Sequence, residues 1–497
     1  MKSPPNIVYI FADDMGYGDM ACNNPDSRIP TPNLDRLAAQ GMRFTDAHAP
    51  SSICTPSRYA LLTGRYCWRS PLKQGVLWEW DPALIEPDRP TVAGFLREQG
   101  YRTACIGKWH LGWDWPTKDG EPANKGVELG VHDQTRIELG ENIDFTQPIK
   151  GGPVDRGFDY YFGQDLPNFP PYTWLEQDRV QVQPTEEKPK DIEGLPYPST
   201  CRPGAMAPGW SLEEVMPELT RRVVRYIEES GEAPFFLYFP MTAPHTPIVP
   251  TEQFRGMSQA GEYGDFVCEV DWCVGQVVEA LDRKGIAEDT LLIFASDNGP
   301  EVFAYRTIMP DYRHFSNGHL RGIKYDAWEG GHRVPFIARW PGKVPTGKVC
   351  TQLFSLSDLM ATCAEILGVP LPAGTGEDSV SMLPFLFHGD ATPPTRRFAV
   401  HHSLNGKFAI RRGDWVFIDA PSGGDAQEPD WYREERGYSG HDFPGELFNL
   451  RDDISERYNR YGEYPEVVRE LAELLARAKE GADPSAGVGV APELLTE

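Results

Sequence analysis

The chain has 497 residues, of which 40% are hydrophobic and 24% charged, and its formal net charge is −25. This composition is typical of a globular protein, and the length suggests more than one domain. The negative charge excludes a general binder of polyanions, so we expect no nucleic-acid partner. No apolar run reaches the length of a membrane span, so we expect no membrane partner either.

The sequence begins without a signal peptide, because the short segment 1–5 leads directly into an apolar strand. As given, the chain is expected in the cytoplasm, and it would be periplasmic or secreted if a leader had been removed. The nine cysteines are scattered. Their odd number argues against a fully paired set of disulfides.

Apolar strands alternate with helices over the first three quarters of the chain. Continuous apolar runs are typical of buried parallel strands, and they predict strands at 6–12, 102–106, 234–239, 290–295 and 336–340. Helices are predicted at 33–40, 91–99, 217–230, 266–283 and 357–367. The alternation predicts an α/β fold with a large, mostly parallel central sheet flanked by helices.

The pattern changes after a Pro-rich stretch that ends near residue 395. Short alternating runs predict an antiparallel sheet, with strands at 398–402, 408–411, 415–419 and 446–450. A final helix is predicted at 466–479, and the polar segment 423–437 is expected to be an exposed loop. We therefore divide the chain into a large domain, residues 1–390, and a small C-terminal α+β domain, residues 391–497.

Polar side chains directly follow four of the predicted strands. They are Asp13 and Asp14, Lys108 and His110, His245, and Asp297 and Asn298. Because the carboxyl ends of parallel strands meet at one edge of a sheet, these groups are expected to lie together. The carboxylate and amide oxygens suit a hard divalent cation. Lys108 and His110 alternate, so on an extended segment they would point the same way, towards an oxyanion.

The segment 51–65 lies in the first crossover and can reach the same edge. Thr55 is a good N-cap, Pro56 fits the first helical position and Gly64 is a plausible stop, so a helix is predicted at 56–63. Cys54 would then lie at the positive end of that helix, where anions bind and a thiol is reactive. Arg58 adds a fixed cation. A buried structural cysteine is the alternative.

These residues also carry a family resemblance. Cys54-Thr55-Pro56-Ser57-Arg58, continued by Leu62-Thr63-Gly64-Arg65, resembles the signature of the type I sulfatases of the alkaline phosphatase superfamily. Gly107-Lys108-Trp109-His110-Leu111-Gly112 resembles a second motif of that family. The resemblance covers about residues 6–370 and implies a sulfatase-like catalytic domain.

The resemblance implies the cofactors as well. A maturation enzyme would oxidise Cys54 to Cα-formylglycine. Residue 54 would bind Ca²⁺ together with Asp13, Asp14, Asp297 and Asn298, and Mg²⁺ would suit the same ligands almost as well.

The resemblance also implies roles for the remaining site residues. A hydroxyl of hydrated formylglycine would attack sulfur, with help from Asp297. His245 or Lys324 would protonate the leaving alcohol, and His110 would deprotonate the second hydroxyl, which expels sulfate. The chemistry of the side chains also makes Arg58, Lys108, His110, His245 and Lys324 the expected donors to a tetrahedral oxyanion.

The expected activity is that of a sulfuric ester hydrolase acting on a sulfated small molecule or glycan. Aromatic residues of the long loops, namely Trp113, Trp115, Tyr172 and Trp174, would suit sugar rings. The formylglycine-generating maturase is a further expected partner. Two alternatives stay open, which are a phosphodiester or phosphonate monoester hydrolase on the same scaffold and a non-catalytic binder of sulfated glycans.

Overall fold

The computed structural model describes residues 4–188, 201–426 and 428–481. The strands are, in chain order, β1 Asn6–Asp13, β2 Met42–Phe44, β3 Ala47–His48, β4 Arg102–Lys108, β5 Tyr160–Gln164, β6 Leu175–Glu176, β7 Arg179–Val180, β8 Glu186–Lys188, β9 Gly204–Met206, β10 Phe235–Pro244, β11 Thr290–Ser296, β12 Phe336–Arg339, β13 Lys348–Cys350, β14 Phe354–Ser355, β15 Ala399–His402, β16 Phe408–Arg412, β17 Trp415–Ile418 and β18 Glu446–Asn449.

The α-helices are α1 Pro32–Gln40, α2 Cys54–Thr63, α3 Val92–Glu98, α4 Arg136–Leu139, α5 Val215–Glu229, α6 Gly261–Lys284, α7 Val302–Thr307, α8 Met309–Tyr312, α9 Glu329–His332, α10 Leu359–Leu367, α11 Leu383–His388, α12 Asp430–Arg436 and α13 Pro465–Lys479. None of the described helices is both long and apolar enough to cross a membrane.

A mixed sheet organises the large part of the molecule. Within the described ranges it has ten strands, in the order β13-β2-β12-β11-β1-β10-β4-β5-β6-β7. The neighbours from β11 to β5 are parallel, whereas β12 runs antiparallel to both β11 and β2. The predicted α/β class with a mostly parallel sheet is therefore confirmed.

The central strand β1 is apolar and buried from Ile7 to Ala12 because helices cover both faces of the sheet. Its alternate residues enter different cores. Ile7 and Phe11 pack in one core, to which α2, α3 and α10 contribute. Val8 and Ile10 pack in the other, to which α1, α5 and α6 contribute. The two-residue period of a strand accounts for this division.

The strands β15 to β18 form an antiparallel sheet, as predicted, and α13 packs against it. This sheet touches the large part of the chain close to Cys54, because the Ser52 backbone N–H donates to the His402 carbonyl at 3.1 Å. The expectation of a loop throughout 423–437 is wrong. The helix α12 forms there because Tyr432 is fully buried and its hydroxyl donates to the Leu320 carbonyl at 3.0 Å.

Candidate active site

Four neighbouring strands deliver polar side chains to one edge of the sheet. Asp13 and Asp14 lie at the end of β1, and Asp297 and Asn298 follow β11. Lys108 ends β4, and His245 follows β10 directly. The structure brings these groups together with Cys54, Arg58 and Lys324, and the three acids and the asparagine are fully buried.

Three cations oppose three carboxylates in this cluster. Lys108 Nζ lies 2.7 Å from Asp13 Oδ2, and Lys324 Nζ lies 2.6 Å from Asp14 Oδ2. Arg58 Nη2 lies 2.8 Å from Asp297 Oδ2 and 3.1 Å from Asp13 Oδ1. Buried charges need partners of this kind to offset the loss of hydration. The cluster is therefore compact and nearly balanced in charge.

The same contacts separate the pKa values of the carboxyl groups. Burial alone would raise the pKa of Asp13, but Lys108 and the other nearby cations hold it well below its usual value. Burial raises the pKa of Asp14 to about 6 and that of Asp297 to about 7, where neighbouring carboxylates add to the effect. A cluster in which one carboxyl pKa is lowered and others are raised is typical of a functional site.

Cys54 is the first residue of α2 and lies against the acidic pair. Its Sγ is 3.7 Å from Asp13 Oδ1 and 3.8 Å from Asp14 Oδ1. Burial, together with Asp297 and Asp14, raises the pKa of the thiol well above its usual value. The unmodified side chain is therefore a neutral thiol, which is a poor nucleophile.

The predicted start of this helix at Pro56 is wrong. The helix α2 spans Cys54–Thr63, its N-cap is Ile53, and Gly64 ends it in the left-handed conformation, as expected. Thr55 does not act as a cap. Its hydroxyl donates to the His110 carbonyl at 3.1 Å and accepts from the Leu77 backbone N–H at 3.2 Å.

The donor set fits a hard cation. Potential ligand atoms of Asp13, Asp14, Cys54 and His245 lie within 4.8 Å of one another. Asn298 Nδ2 donates to Asp14 Oδ1 at 2.7 Å, whereas Asn298 Oδ1 is buried without a hydrogen-bond partner among the described residues. An unpartnered amide oxygen beside two carboxylates is the feature that a bound divalent ion would satisfy.

His110 is placed differently from the prediction. Its φ is 54°, so the chain turns after Lys108, and the extended segment with both side chains on one side is not formed. The turn is held by the His110 backbone N–H, which donates to Asp165 Oδ1 at 3.0 Å. The ring Nε2 lies 3.0 Å from the Leu77 carbonyl, and Nδ1 is buried with no hydrogen-bond partner in the described ranges.

The geometry fixes the proton on His110. A carbonyl only accepts, so Nε2 carries the hydrogen and Nδ1 carries the lone pair. Burial, together with Lys108 and Arg58, lowers the pKa of His110 well below its usual value. The ring is therefore neutral and offers Nδ1 as a base.

His245 lies beside Asp14 and Glu301. Its Nε2 is 3.7 Å from Asp14 Oδ2 and 3.9 Å from Glu301 Oε2. Burial and Lys324 lower the pKa of His245 to about 4. A negatively charged ligand beside it would oppose that shift and favour the protonated ring.

Three residues that support this cluster were not predicted from the sequence. Glu301 approaches His245, and Asp165 holds the backbone of His110. The Tyr263 hydroxyl donates to the Asp14 carbonyl at 3.1 Å. Glu301 follows Asp297 and Asn298 by only a few residues, so its position was a usable signal. Nothing in the sequence marks Asp165 or Tyr263.

The expectation that the loop aromatics face a substrate is wrong for three of them. Trp113, Trp115 and Tyr172 are buried. Trp174 is half-buried, and its ring stacks on Phe162 with centroids 4.8 Å apart. Trp113 and Trp115 belong to the same core as Ile7 and Phe11 of β1, to which large apolar rings contribute much buried area.

Comparisons with known proteins agree with this geometry. The family model described as Sulfatase matches residues 5–369. The N-acetylgalactosamine-6-O-sulfatase of Bacteroides thetaiotaomicron is 37% identical, over 96% of this chain and 93% of the relative. Human arylsulfatase A is 35% identical, over 95% and 87% of the two chains. A solved structure described under the metabolism of multiple glycosaminoglycans by Bacteroides thetaiotaomicron superimposes with a TM-score of 0.79 at 32% identity, covering 96% of this chain and all of the other.

Proposed function

Because the chain belongs to the sulfatase family and is a sulfuric ester hydrolase, we propose that it releases sulfate from a sulfated carbohydrate, with a 6-sulfated N-acetylgalactosamine as the first candidate. The candidate follows from the relative that is 37% identical over nearly the whole of both chains and is named for that sugar. The observation that carries the proposal is the position of Cys54 against Asp13 and Asp14, with Lys108 and Lys324 beside them.

Sulfatases in general use a metal ion and formylglycine. We propose Ca²⁺ as the ion, with Asp13, Asp14, Asp297, Asn298 and residue 54 as ligands, and Mg²⁺ as the closest substitute. Formylglycine would be made from Cys54 by a maturase that is a partner of this chain. When bound, the ion supplies positive charge beside the sulfate, and formylglycine supplies a hydrated aldehyde as nucleophile.

The cationic side chains hold the ester. Arg58, Lys108 and Lys324 surround residue 54 and donate hydrogen bonds to the sulfate oxygens, which holds the ester in place. As the ester bond breaks, its electron pair passes to the leaving alcohol oxygen, where negative charge grows until that oxygen is protonated. Asp297 accepts the proton of the attacking hydroxyl.

Two groups are placed to move the remaining protons. His245, or Lys324 in its place, donates a proton to the leaving alcohol. His110 Nδ1 accepts the proton whose removal from residue 54 releases sulfate. The neutral ring and the fixed tautomer of His110 suit this role.

The division of the chain at residue 390 stays a prediction within this proposal. The residues assigned here to catalysis all lie before it, and the antiparallel sheet begins with β15 at Ala399.

The test combines expression with a maturase, mass spectrometry of the peptide that carries residue 54, and ion chromatography of released sulfate. The expected result is partial or full conversion of Cys54, with turnover that scales with the converted fraction. An aryl phosphate and an aryl phosphonate monoester serve as comparison substrates. Faster hydrolysis of these than of every sulfate ester, or full activity of an unmodified thiol, would contradict the proposal.

A further inference from the structure

Two segments that position His110 lead into one further cluster. Leu77 contacts the His110 ring through its carbonyl, and Glu79 lies two residues later. On the other side, Asp165 holds the His110 backbone, and Asn168 lies three residues later. The cluster that contains Glu79 and Asn168 is therefore joined to the candidate active site by short, ordered connections.

An incomplete ion pair lies at the centre of this cluster. Arg202 Nη1 donates to Glu79 Oε1 at 2.7 Å. The other atoms of the two groups, Glu79 Oε2 and Arg202 Nη2, are buried and have no hydrogen-bond partner in the part of the chain that the structure describes. An arginine and a carboxylate more often meet through two parallel hydrogen bonds. This pair meets through one, which leaves one acceptor atom and one donor atom of the pair without a partner among the described residues.

A third atom in the cluster also lacks a partner among the described residues. The Arg202 backbone N–H donates to the Asn168 carbonyl at 3.0 Å, which places the two residues together. Asn168 Oδ1 is buried and has no partner among the described residues. Glu79 itself is only 2% exposed. Buried polar atoms are rarely left without hydrogen bonds, so three in one place indicate a polar ligand.

Aromatic rings border the same atoms. The Arg202 guanidinium lies 5.1 Å from the Phe169 ring centroid and 6.0 Å from that of Trp78. Trp78 is half-buried, and the exposed His132 lies against it at 4.5 Å between centroids. A ring that is apolar on one face and accessible to solvent suits the C–H face of a sugar.

We propose that Glu79, Arg202 and Asn168 form a sugar subsite that binds hydroxyl groups of the ring bearing the sulfate ester. A hydroxyl donates to Glu79 Oε2, and a neighbouring oxygen accepts from Arg202 Nη2. A uronic acid carboxylate would attract Arg202 but would be repelled by Glu79, so the subsite favours a neutral sugar. The proposal rests on the proposed function.

The test compares two substrates, a 6-sulfated N-acetylgalactosamine and an aryl sulfate that lacks the ring hydroxyls. In Glu79→Gln, kcat/KM for the sugar is expected to fall about 10- to 100-fold, as for a lost hydrogen bond to a charged group. The fall for the aryl sulfate is expected to be at least about tenfold smaller. Glu176→Gln is the matched control, because it breaks a similar pair with Arg222 at 3.0 Å outside the cluster. It should change neither rate.

Deoxy analogues of the sulfated sugar test the same contact without a variant. Removal of the hydroxyl that meets Glu79 should lower kcat/KM of the wild type by a similar factor. It should lower that of Glu79→Gln no further, because the two changes remove one interaction. Equal losses on sugar and aryl ester, additive losses in this cycle, or a sulfated uronic acid that reacts as fast as the neutral sugar would overturn the proposal.

The outcomes distinguish a failure of the sugar subsite from a failure of the proposed sulfatase function. A wild type that hydrolyses the aryl sulfate but none of the sugars overturns the sugar subsite and leaves the sulfatase activity in place. A matured wild type that hydrolyses no sulfate ester contradicts the proposed function itself.

Discussion

Among the described residues, two buried clusters hold potential metal ligands close together, and they differ in how those ligands are used. One is the candidate active site, in which Asp13 and Asp14 face Cys54 and His245. The other is the histidine cluster, which we define as His48, His332 and His401 with the neighbouring Asp46 and Glu329.

Most ring nitrogens of the histidine cluster already form hydrogen bonds within the protein. His48 Nε2 lies 2.8 Å from Asp46 Oδ1, His332 Nε2 lies 3.1 Å from the Ala327 carbonyl, and His401 Nδ1 lies 3.0 Å from the Ala49 carbonyl. The rings of His332 and His401 stack 3.9 Å apart and only 4° from parallel. Lone pairs in parallel planes do not converge on one ion.

The comparison shows that nearness of ligand types does not make a metal site. In the candidate active site the ligands converge from strand ends, cations balance them, and Asn298 Oδ1 still lacks a partner among the described residues. In the histidine cluster the contacts join β3, α9 and β15, so the cluster serves to hold two parts of the chain together.

The largest expected effect separates the clusters by activity. Asp13→Asn removes the carboxylate that faces both Lys108 and Arg58, and we expect a loss of about 10²- to 10³-fold in kcat at equal formylglycine content. Asp46→Asn, in the histidine cluster, should retain the activity per folded molecule. Sulfate release assays at matched concentrations of folded protein check both. Similar losses of kcat in Asp13→Asn and Asp46→Asn would contradict the assignment of catalysis to the first cluster alone.

The next effect distinguishes the histidine cluster from the candidate active site by its contribution to the free energy of unfolding. Asp46 is buried against Arg411, His48 and Arg333, which hold its pKa well below the usual value although burial opposes them. Breaking such a set by removing one partner costs about 3 to 5 kcal/mol. We expect Asp46→Asn to lower the free energy of unfolding in urea by that amount at pH 7. A loss below about 1 kcal/mol, the range of exposed ion pairs, would contradict a structural role.

Ion binding gives a somewhat smaller effect and sharpens the assignment. A Ca²⁺ concentration about 100 times the dissociation constant should stabilise the folded wild type by about 2.7 kcal/mol. The stabilisation should be absent from Asp297→Asn and intact in His332→Asn. Thermal unfolding in Ca²⁺ and in a chelator measures it. If His332→Asn alone lost the stabilisation by Ca²⁺, the result would show that the metal site is the histidine cluster and not the candidate active site.

Counted per histidine and per pH unit, the smallest effect concerns pH. Burial is the main cause that lowers the pKa values of His332 and His401 well below the usual value. Their contribution to stability is therefore complete above about pH 6.5 and is lost as the pH falls below that value, because only the unfolded chain takes up the protons. Each histidine contributes about 1.4 kcal/mol per pH unit in that range.

The comparison of His332→Asn/His401→Asn with the wild type isolates this contribution, since the other titrating groups are common to both. Unfolding free energies measured between pH 7 and 5 should decline less steeply in the double variant. Parallel curves for the two proteins would show that these rings do not titrate on unfolding.

The sequence allowed the central strands to be predicted because their signal is local. The expected strand 6–12 became β1, Asn6–Asp13, and 290–295 became β11, Thr290–Ser296. Once these strands are parallel neighbours, the position of the residues after them follows. Fold class and the metal half of the candidate site could therefore be stated in advance.

The errors arose where distant contacts overrule local preference. Thr55 is a strong N-cap by itself, yet its hydroxyl bonds to the carbonyl of His110. The polar segment near residue 430 folds as α12 because Tyr432 packs into the core. The Glu79–Arg202 pair joins residues 123 positions apart, and no periodicity could indicate it.

The hydrogen bond between Ser52 and His402 has a consequence for the order of events during synthesis. It closes the C-terminal sheet over the segment that begins α2, and Cys54 is then only 2% exposed. A ribosome makes position 402 long after position 54. If Cys54 is oxidised as we propose, the oxidising enzyme would therefore meet an accessible thiol only while the later part of the polypeptide is still being made or threaded, and a chain that folds first would keep its cysteine unchanged.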